Sequence, residues 1–455
     1  MTDTAGLPAV LGGNPVRQSG AFRTTPETGD LEVEYLSAWL RVAGDANAES
    51  RAYGVALQAG AVLDVELADL LGGEPAAFAA EFSALQVPAR GAWCVPASNG
   101  TRIISTSLAA LSCVAPSLGL RTPEVGGEVI VPALTFPATA AAVLRRNLVA
   151  VLVDVDPDTL CVDPAAVAAA ISDRTVAVLP VHLYRSFADV VSIQRVCGKL
   201  GIATGEDCAH AHGARLRPNG SDARCAGTLG DFGTFSYQDS KVLTGSEGGA
   251  ALTRHHELYE QIASAVTCGR KMRSSASLQA ENERMSKVSA AYLRAQLRRF
   301  PEQSATRERT FAALSLVATE LPGLAPLGQQ RDVEVPPAYR WVFHVRLDEW
   351  GGMTLDQLAL ALSAELLCRV ERIYQPLTES ALYQPHSDAA LEISDDFWRR
   401  IDPHRYHAPV ATHAYETVLT IPHSAGLDPG LPDAFAAAVG KIHAHSARIA
   451  RDVRV

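Results

Sequence analysis

Between residues 128 and 207 short, unbroken apolar runs alternate with segments whose apolar residues recur every three or four positions. The runs at 129–131, 149–155, 175–183 and 202–207 read as strands, and 137–144, 164–170 and 188–200 read as helices. Asp163 followed by Pro164 is a helix start, a side-chain cap ahead of a residue with no N–H to satisfy. Strands that are apolar throughout need cover on both faces, so the pattern predicts an α/β fold with a mostly parallel sheet between helices. Upstream, residues 1–30 are rich in Gly, Pro and Thr and read as an extended arm. Residues 31–71 are largely helical in pattern (Leu36, Trp39 and Leu40, then Leu63, Leu67 and Leu70), with a break at 44–47. A further amphipathic piece, AAFAAEFSAL, follows Pro75, and a strand at 93–95 leads through Ser98-Asn99-Gly100-Thr101 into a helix at 103–113. The short runs at 232–237 and 249–252 complete or edge the sheet. Helices follow at 257–266 and 286–300, the latter with Ala290, Leu293, Leu297 and Phe300 on one face, separated by a polar loop at 271–280. Pro301 is expected to kink or end that second helix. Beyond Pro322 the alternation weakens into a strand at 341–347, a helix at 355–366, an irregular aromatic stretch at 374–398 and a last amphipathic helix at 432–450. The chain divides on this reading into an arm with a helical lead-in (1–90), a large ligand-binding domain (91–320) and a smaller α+β domain (321–455). There is no internal repeat.

Composition narrows the class. With 455 residues, 47% hydrophobic and 20% charged, the chain has the make-up of a soluble globular protein of more than one domain. A diffuse net charge of −10 argues against a nucleic-acid partner. The eight cysteines are scattered, several inside apolar runs, which suits reduced thiols and a cytoplasmic setting. The opening MTDTAGLPAVLGGNPV has no basic segment ahead of an apolar core, so no signal peptide is expected. No apolar stretch approaches the length of a membrane span, and no membrane association is expected.

The densest chemistry lies between Gly205 and Leu252. Asp207 ends the run at 202–207, and Lys241 follows the run at 232–237, just ahead of Gly245, Gly248 and Gly249. If both runs are strands of one sheet, both side chains sit at carboxyl ends, where the ligand crevice of such sheets lies. An amine and a carboxylate so placed suit pyridoxal phosphate: the lysine holds the aldehyde as a Schiff base and the acid keeps the pyridine nitrogen protonated. Taken alone, a lysine before a glycine turn is usually a solvated surface residue, and it is the order of the other motifs along the chain that overturns this reading of Lys241. The glycines lack the Lys-Ser/Thr ending of a phosphate loop and mark a turn. Cys208, His210 and His212 lack paired Cys-x-x-Cys or His-Glu-x-x-His spacing, so no metal site is expected. Ser98-Asn99-Gly100-Thr101 is either a plain helix cap or an anion site at a helix start. A dinucleotide fold is excluded because no Gly-x-Gly-x-x-Gly follows the first strand.

Taken in order along the chain, these motifs resemble those of the StrS/DegT-type sugar aminotransferases, fold-type I pyridoxal-phosphate enzymes with a seven-stranded large-domain sheet. Ser98-Asn99-Gly100-Thr101 is similar to that family's phosphate-binding turn, and Val131-Pro132-Ala133-Leu134-Thr135-Phe136 to its Val-Pro-x-x-Thr-Phe strand end. Val155-Asp156-Pro157-Asp158-Thr159-Leu160 and Pro180-Val181-His182-Leu183-Tyr184 resemble two further signatures. Glu206-Asp207-Cys208-Ala209-His210 resembles the segment carrying the acid, Ser236 stands five residues before Lys241 as the family's phosphate serine does before its lysine, and Asn282-Glu283-Arg284-Met285-Ser286 resembles its Asn-Tyr-Arg-Met-Ser segment. The resemblance implies that Lys241 forms the Schiff base and then shuttles the substrate proton, while Asp207 protonates the ring nitrogen. His210 and Phe136 flank the ring, Gly100, Thr101 and Ser236 hold the phosphate, and Asn282 reaches the neighbouring subunit's cofactor, so that a homodimer shares its sites. Ser236-Tyr237-Gln238 and Lys241-Val242-Leu243-Thr244 look like aminocyclitol aminotransferases and aminohydroxybenzoate synthases. The segments Tyr374-Gln375-Pro376-Leu377 and Leu382-Tyr383-Gln384-Pro385-His386 resemble enzymes that aminate scyllo-inosose or 2-deoxy-scyllo-inosose. Tyr184, Arg185, Gln238, Tyr374 and His386 are the implied substrate contacts.

The implied reaction is transfer of an amino group from glutamine or glutamate to a cyclic ketone, a keto-cyclitol or keto-sugar, in secondary metabolism. The alternatives are dehydration with aromatisation, as in aminohydroxybenzoate synthases, and a degenerate member acting as a partner or regulator. The related deoxysugar dehydratases carry histidine in place of the lysine. Arg185-Ser186 replaces the family's usual glycine and small loop, Ser246 stands where a glycine is usual, and the chain is expanded at 40–75 and 217–226.

Overall fold

The computed structural model describes residues 7–17, 65–87, 91–217, 220, 222–272 and 275–455. The helical expectations at Leu36, Trp39, Leu40 and Leu63, and the break at 44–47, lie outside the described residues. Helices α1 (Val65–Leu71) and α2 (Gly73–Gln86) precede the sheet.

The apolar runs become strands of one sheet: β1 (Trp93–Ala97), β2 (Glu128–Pro132), β3 (Val149–Val153), β4 (Thr175–Val178) and β5 (Ala203–Asp207). Two short strands, β6 (Arg215–Leu216) and β7 (Arg224–Cys225), pair outside it before β8 (Phe232–Ser236) and β9 (Gly249–Thr253) complete it. The order is β1-β9-β8-β5-β4-β2-β3. The five strands from β3 to β8 run parallel, whereas β9 is antiparallel to both β8 and β1. The helices α3 (Gly100–Val114), α4 (Ala138–Leu144), α5 (Pro164–Ala170), α6 (Val190–Cys197) and α7 (His256–Val266) connect and cover the strands. β4 is shorter than its apolar run because Pro180 has no N–H for the ladder, and only a single bridge, Val181 to Asp207, follows it. With its 3₁₀ extension to Leu118, α3 is the one helix among the described residues long and apolar enough to cross a membrane. That corrects the expectation that no stretch approaches this length. Its residues Ile103 to Leu111 are buried, and it packs on α7 and β9.

The amphipathic segment after Ser286 does not end at Pro301. Helix α8 (Lys287–Thr319) runs through it. The lost N–H is offset by packing on either side: Leu293, Leu297 and Phe300 join the core around the large sheet, and Phe311, Leu314 and Ala318 join a second core. That second core lies under a four-stranded antiparallel sheet of β10 (Leu324–Pro326), β12 (Arg340–Val345), β14 (Val418–Pro422) and β13 (Glu371–Arg372), with α9 (Leu355–Leu366) packed on it. β11 (Val333–Val335) pairs instead with β6. Tyr339 and Arg340 at the start of β12 and Tyr374 in the segment after β13 thus come to the carboxyl ends of the parallel strands.

Candidate active site

Register brings the polar groups together. Gly249 pairs with Ala97 on one side and Ser236 on the other, so the start of α3 abuts the end of β8. A Cβ on Gly249 would lie 2.4 Å from the Asn99 carbonyl oxygen, and one on Gly100 would lie 2.7 Å from Ser236 Cβ. Both positions therefore require glycine. Asn99 caps α3 by accepting from the Arg102 N–H at 2.9 Å, leaving the first-turn N–H groups of Gly100 and Thr101, which a helix cannot bond itself, facing Ser236. The cap expected from the sequence is present, and it leaves these N–H groups without a helical partner.

Asp207 ends β5, paired in register with Thr234 and bridged to Val181. Its buried carboxylate accepts from Thr139 Oγ1 at 2.7 Å and from the Ala209 N–H at 3.0 Å. Among the described residues no cation is salt-bridged to it. Lys241 sits in the turn after β8, its N–H bonded to the Gln238 carbonyl. Both Asp207 and Lys241 line a cavity of about 810 Å³ whose wall also includes Gly100, Thr101 and Ser236.

The Lys241 amine is buried, and burial pulls its pKa below that of an ordinary lysine, with Arg340 adding to the effect and Tyr339 and Asp207 opposing it. Its Nζ lies 4.5 Å from the centre of the Tyr339 ring. Burial alone would raise the Tyr339 phenol, but Lys241 and Arg340 bring it down to about 8. His210 is held well below its ordinary pKa, by burial first and then by Lys241 and Arg340. Its Nδ1 accepts the Tyr184 N–H at 3.1 Å, so a neutral ring carries its proton on Nε2.

Phe136 and His210 line the same cavity, as do Gln238 and Tyr374 among the expected substrate contacts. Tyr184 does not reach the wall. It is buried with a left-handed backbone (φ +56°), stacks near His210, and accepts the Tyr374 N–H at its hydroxyl at 2.7 Å. Arg185 is neither at the cavity nor in solvent: its guanidinium makes two 3.0 Å bonds to Glu308 and lies over Phe311. His386 also lies off the cavity, stacked on Trp398 and bonded to the Trp398 carbonyl at 2.8 Å. Asn282 is exposed, between Glu281 and Glu283, which both pair with Arg102 at the cavity rim. Ser246 adopts φ +67°, a backbone that explains why glycine is usual there. Sequence reading missed Thr139, Tyr339 and Arg340. Thr139 was in plain view one turn after Thr135-Phe136; Tyr339 and Arg340 carried no signal beyond standing ahead of a strand.

His182, Glu206 and Cys208 bring three metal-capable atoms within 4.8 Å of one another. Glu206 is already satisfied, by His182 Nε2 at 2.9 Å and by the N–H groups of Gly227, Leu229 and Gly230. The cluster braces the strand that presents Asp207.

A model of the DegT/DnrJ/EryC1/StrS aminotransferase family matches residues 57–429. An L-glutamine:2-deoxy-scyllo-inosose aminotransferase of Streptoalloteichus tenebrarius is 37% identical over 382 residues, 81% of this chain and 85% of that protein. A protein of the same description from Micromonospora echinospora is 37% identical over 350 residues, covering 73% and 77%. The solved structure of 3-amino-5-hydroxybenzoic acid synthase aligns with a TM-score of 0.70 at 27% identity, covering 94% of this chain and 99% of that one. DesI, solved with its TDP-sugar product, aligns at 0.72 and 23% identity over 97% of each chain, a likeness of fold.

Proposed function

The chain belongs to the DegT/DnrJ/EryC1/StrS aminotransferase family, and from that premise we propose that it moves an amino group from L-glutamine or L-glutamate to a cyclic ketone of the inosose type, with pyridoxal phosphate as cofactor. The observation that carries this reading is a buried lysine and a buried carboxylate with no salt-bridged cation among the described residues, lining one cavity together with a glycine-led helix start and Ser236. Those groups fit the cofactor. Among the described residues no cation is salt-bridged to the Asp207 carboxylate, and the close approach of Gly100 to Ser236 puts a helix start beside a hydroxyl, donors of the kind a phosphate needs. Bound there, the cofactor would supply an aldehyde to carry the amino group and a ring that withdraws electrons.

The chain's own groups do the rest. Lys241 anchors the aldehyde and, once freed, moves a proton at Nζ; burial keeps its amine readily deprotonated. Asp207, its carboxylate fixed by Thr139 and the Ala209 N–H, would meet the ring nitrogen. His210 and Phe136 would flank the ring, Gly100, Thr101 and Ser236 would hold the phosphate, and Gln238 and Tyr374 would be the substrate-facing side chains. In the same reading Asn282 completes a partner's site in a cytoplasmic homodimer of secondary metabolism, which its exposure permits. A second reading, dehydration with aromatisation, is supported by the likeness to 3-amino-5-hydroxybenzoic acid synthase; the names of the curated relatives favour transamination.

Borohydride reduction of the holoenzyme followed by peptide mapping tests the assignment: the pyridoxyl group is expected on Lys241, and Lys241→Ala is expected to fold and to be inactive. Label on another lysine overturns the reading. Product mass decides between amination and dehydration.

A further inference from the structure

Tyr339 enters the cavity from the second sheet, immediately ahead of β12, and the arrangement around its oxygen is one-sided. Its ring is stacked on His210 at 3.8 Å between centroids, with planes 16° apart, and His423 stacks on it more loosely at 6.1 Å. The ring therefore has one orientation, and its hydroxyl is delivered to a fixed place. The groups around it can be traced. Because His210 Nδ1 accepts the Tyr184 N–H, the proton of the neutral ring is on Nε2, which points at the Tyr374 hydroxyl 3.5 Å away. The Tyr374 hydroxyl thus accepts from His210. Ser240 Oγ is 3.3 Å from the Tyr339 oxygen. The Lys241 amine lies over the same ring, 4.5 Å from its centre.

The charged and titratable groups facing Tyr339 are mostly cationic or neutral. Arg340, next in sequence, lies 5.5 Å from the ring centre and is itself bonded to Glu371 at 2.6 Å. His210, His423 and Tyr374 face it as neutral groups, the histidines because burial holds them so and Tyr374 because burial raises its phenol. Asp207 acts on Lys241, and Glu371 is taken up by Arg340 and Arg369. A buried phenol with two cations against its ring, Lys241 Nζ at 4.5 Å and the Arg340 guanidinium at 5.5 Å from the ring centre, is favoured as an anion.

We propose that Tyr339 is the acid–base partner of Lys241, pairing as phenolate with the lysine ammonium and taking the lysine's proton when the free amine is required. One N–H bond breaks at Lys241 Nζ, one O–H bond forms at Tyr339, and the pair is neutral overall before and after. The buried site thus releases a nucleophilic amine without exporting a charge or waiting for solvent. The family reading of Lys241 as the reacting amine is the foundation of this inference, and the two fail separately in the test.

Cofactor-free protein is titrated by phenolate absorbance, native against Tyr339→Phe, which keeps the ring and its stack. One tyrosine ionising near 8 is expected in the native protein and missing from the variant. In Lys241→Met the same tyrosine is expected to ionise at higher pH. Competitive acetylation of Lys241, read by peptide mass across pH, is expected to shift to lower pH in Tyr339→Phe, because the phenolate no longer stabilises the ammonium. A tyrosine count unchanged by Tyr339→Phe near pH 8, or an unmoved Lys241 acetylation profile, overturns the proposal. Borohydride labelling of the reconstituted variant keeps the two readings apart: label on Lys241 with an unmoved profile defeats Tyr339 alone, and label elsewhere in the native protein defeats the assignment of Lys241.

Discussion

Asp207 and Arg185 show what a single side chain can and cannot be asked to do here. Asp207 is useful because it is buried, fixed by two donors and not salt-bridged to any cation among the described residues. Asp207→Asn keeps the shape and removes the charge, so turnover is expected to fall by at least about a hundredfold, as when a preorganised charge is withdrawn from a water-poor site. Thr139→Val leaves the charge and removes one of its two donors, worth about 1 kcal/mol, so its loss is expected to be about tenfold or less. Steady-state rates, with cofactor content checked by absorbance, separate the two; near-native turnover in Asp207→Asn means the acid is misassigned. Arg185 is the opposite case. As the chain's departure from a family glycine it invited an anion-binding role, but its guanidinium is already spent on Glu308, between the strand-end segment and α8. Arg185→Ala is expected to leave the Michaelis constants of both half-reactions unchanged and to lower stability by about 1 kcal/mol. Glu308→Ala should cost the same, and the double variant no more than either; a selective rise in one Michaelis constant would restore Arg185 to the substrate.

At the scale of elements, legibility followed the range of the interaction that decides each one. Strands β2 and β3 and the helix between them were plain in the sequence because burial on both faces writes a near-uninterrupted apolar run. α8 was not, because the local rule for Pro301 is overruled by two separate cores gripping the helix on either side. Pro301 is exposed, and its missing N–H leaves the Leu297 carbonyl without a helical donor. Pro301→Ala is therefore expected to stabilise the protein by roughly 1–3 kcal/mol, seen as a higher thermal midpoint; no change would mean the helix accommodates the ring without strain. The same distinction holds in the site. Asp207, Ser236 and Lys241 belong to one contiguous stretch with recognisable spacing, whereas Tyr339 and Arg340 reach the cavity only because β12 docks against the large sheet. The start of α3 offers the element-scale test. With 2.7 Å between a hypothetical Gly100 Cβ and Ser236, Gly100→Ala must push the helix off the serine. Cofactor affinity is expected to fall at least tenfold with the fold retained, measured by reconstitution of the cofactor-free protein; unchanged affinity would show that the phosphate is held elsewhere.

The whole molecule closes around its site with buried neutral histidines, and that choice sets how it responds to acid. His210 and His423 both stack against Tyr339, and His212 is packed among Phe82, Phe235 and Tyr237. All three have pKa values below the ordinary histidine range, with burial the largest cause; Lys241 adds to the effect at His210 and His212, and Arg307 at His423. His212 is brought down to about 3. In the unfolded chain each would titrate near about 6.5. The folded values are the depressed ones, so the stability these groups contribute is complete above pH ~6.5 and is lost as the pH falls below it, where the unfolded state binds protons the folded state refuses. Each histidine costs about 1.4 kcal/mol by pH 5.5, so the three together remove roughly 4 kcal/mol, a large share of the 5–15 kcal/mol typical of folded domains. Carboxylates titrate mostly below this window, which isolates the histidines. Denaturant midpoints measured at pH 7.5 and pH 5.5 are expected to differ by about that amount, and His212→Leu, which fills the same apolar surroundings without a proton site, should shrink the difference by about a third. If the native protein is equally stable at both pH values, or His212→Leu leaves the difference intact, these rings are not held neutral against protonation, and the stack that orients Tyr339 would then carry a charge it is not built to hold.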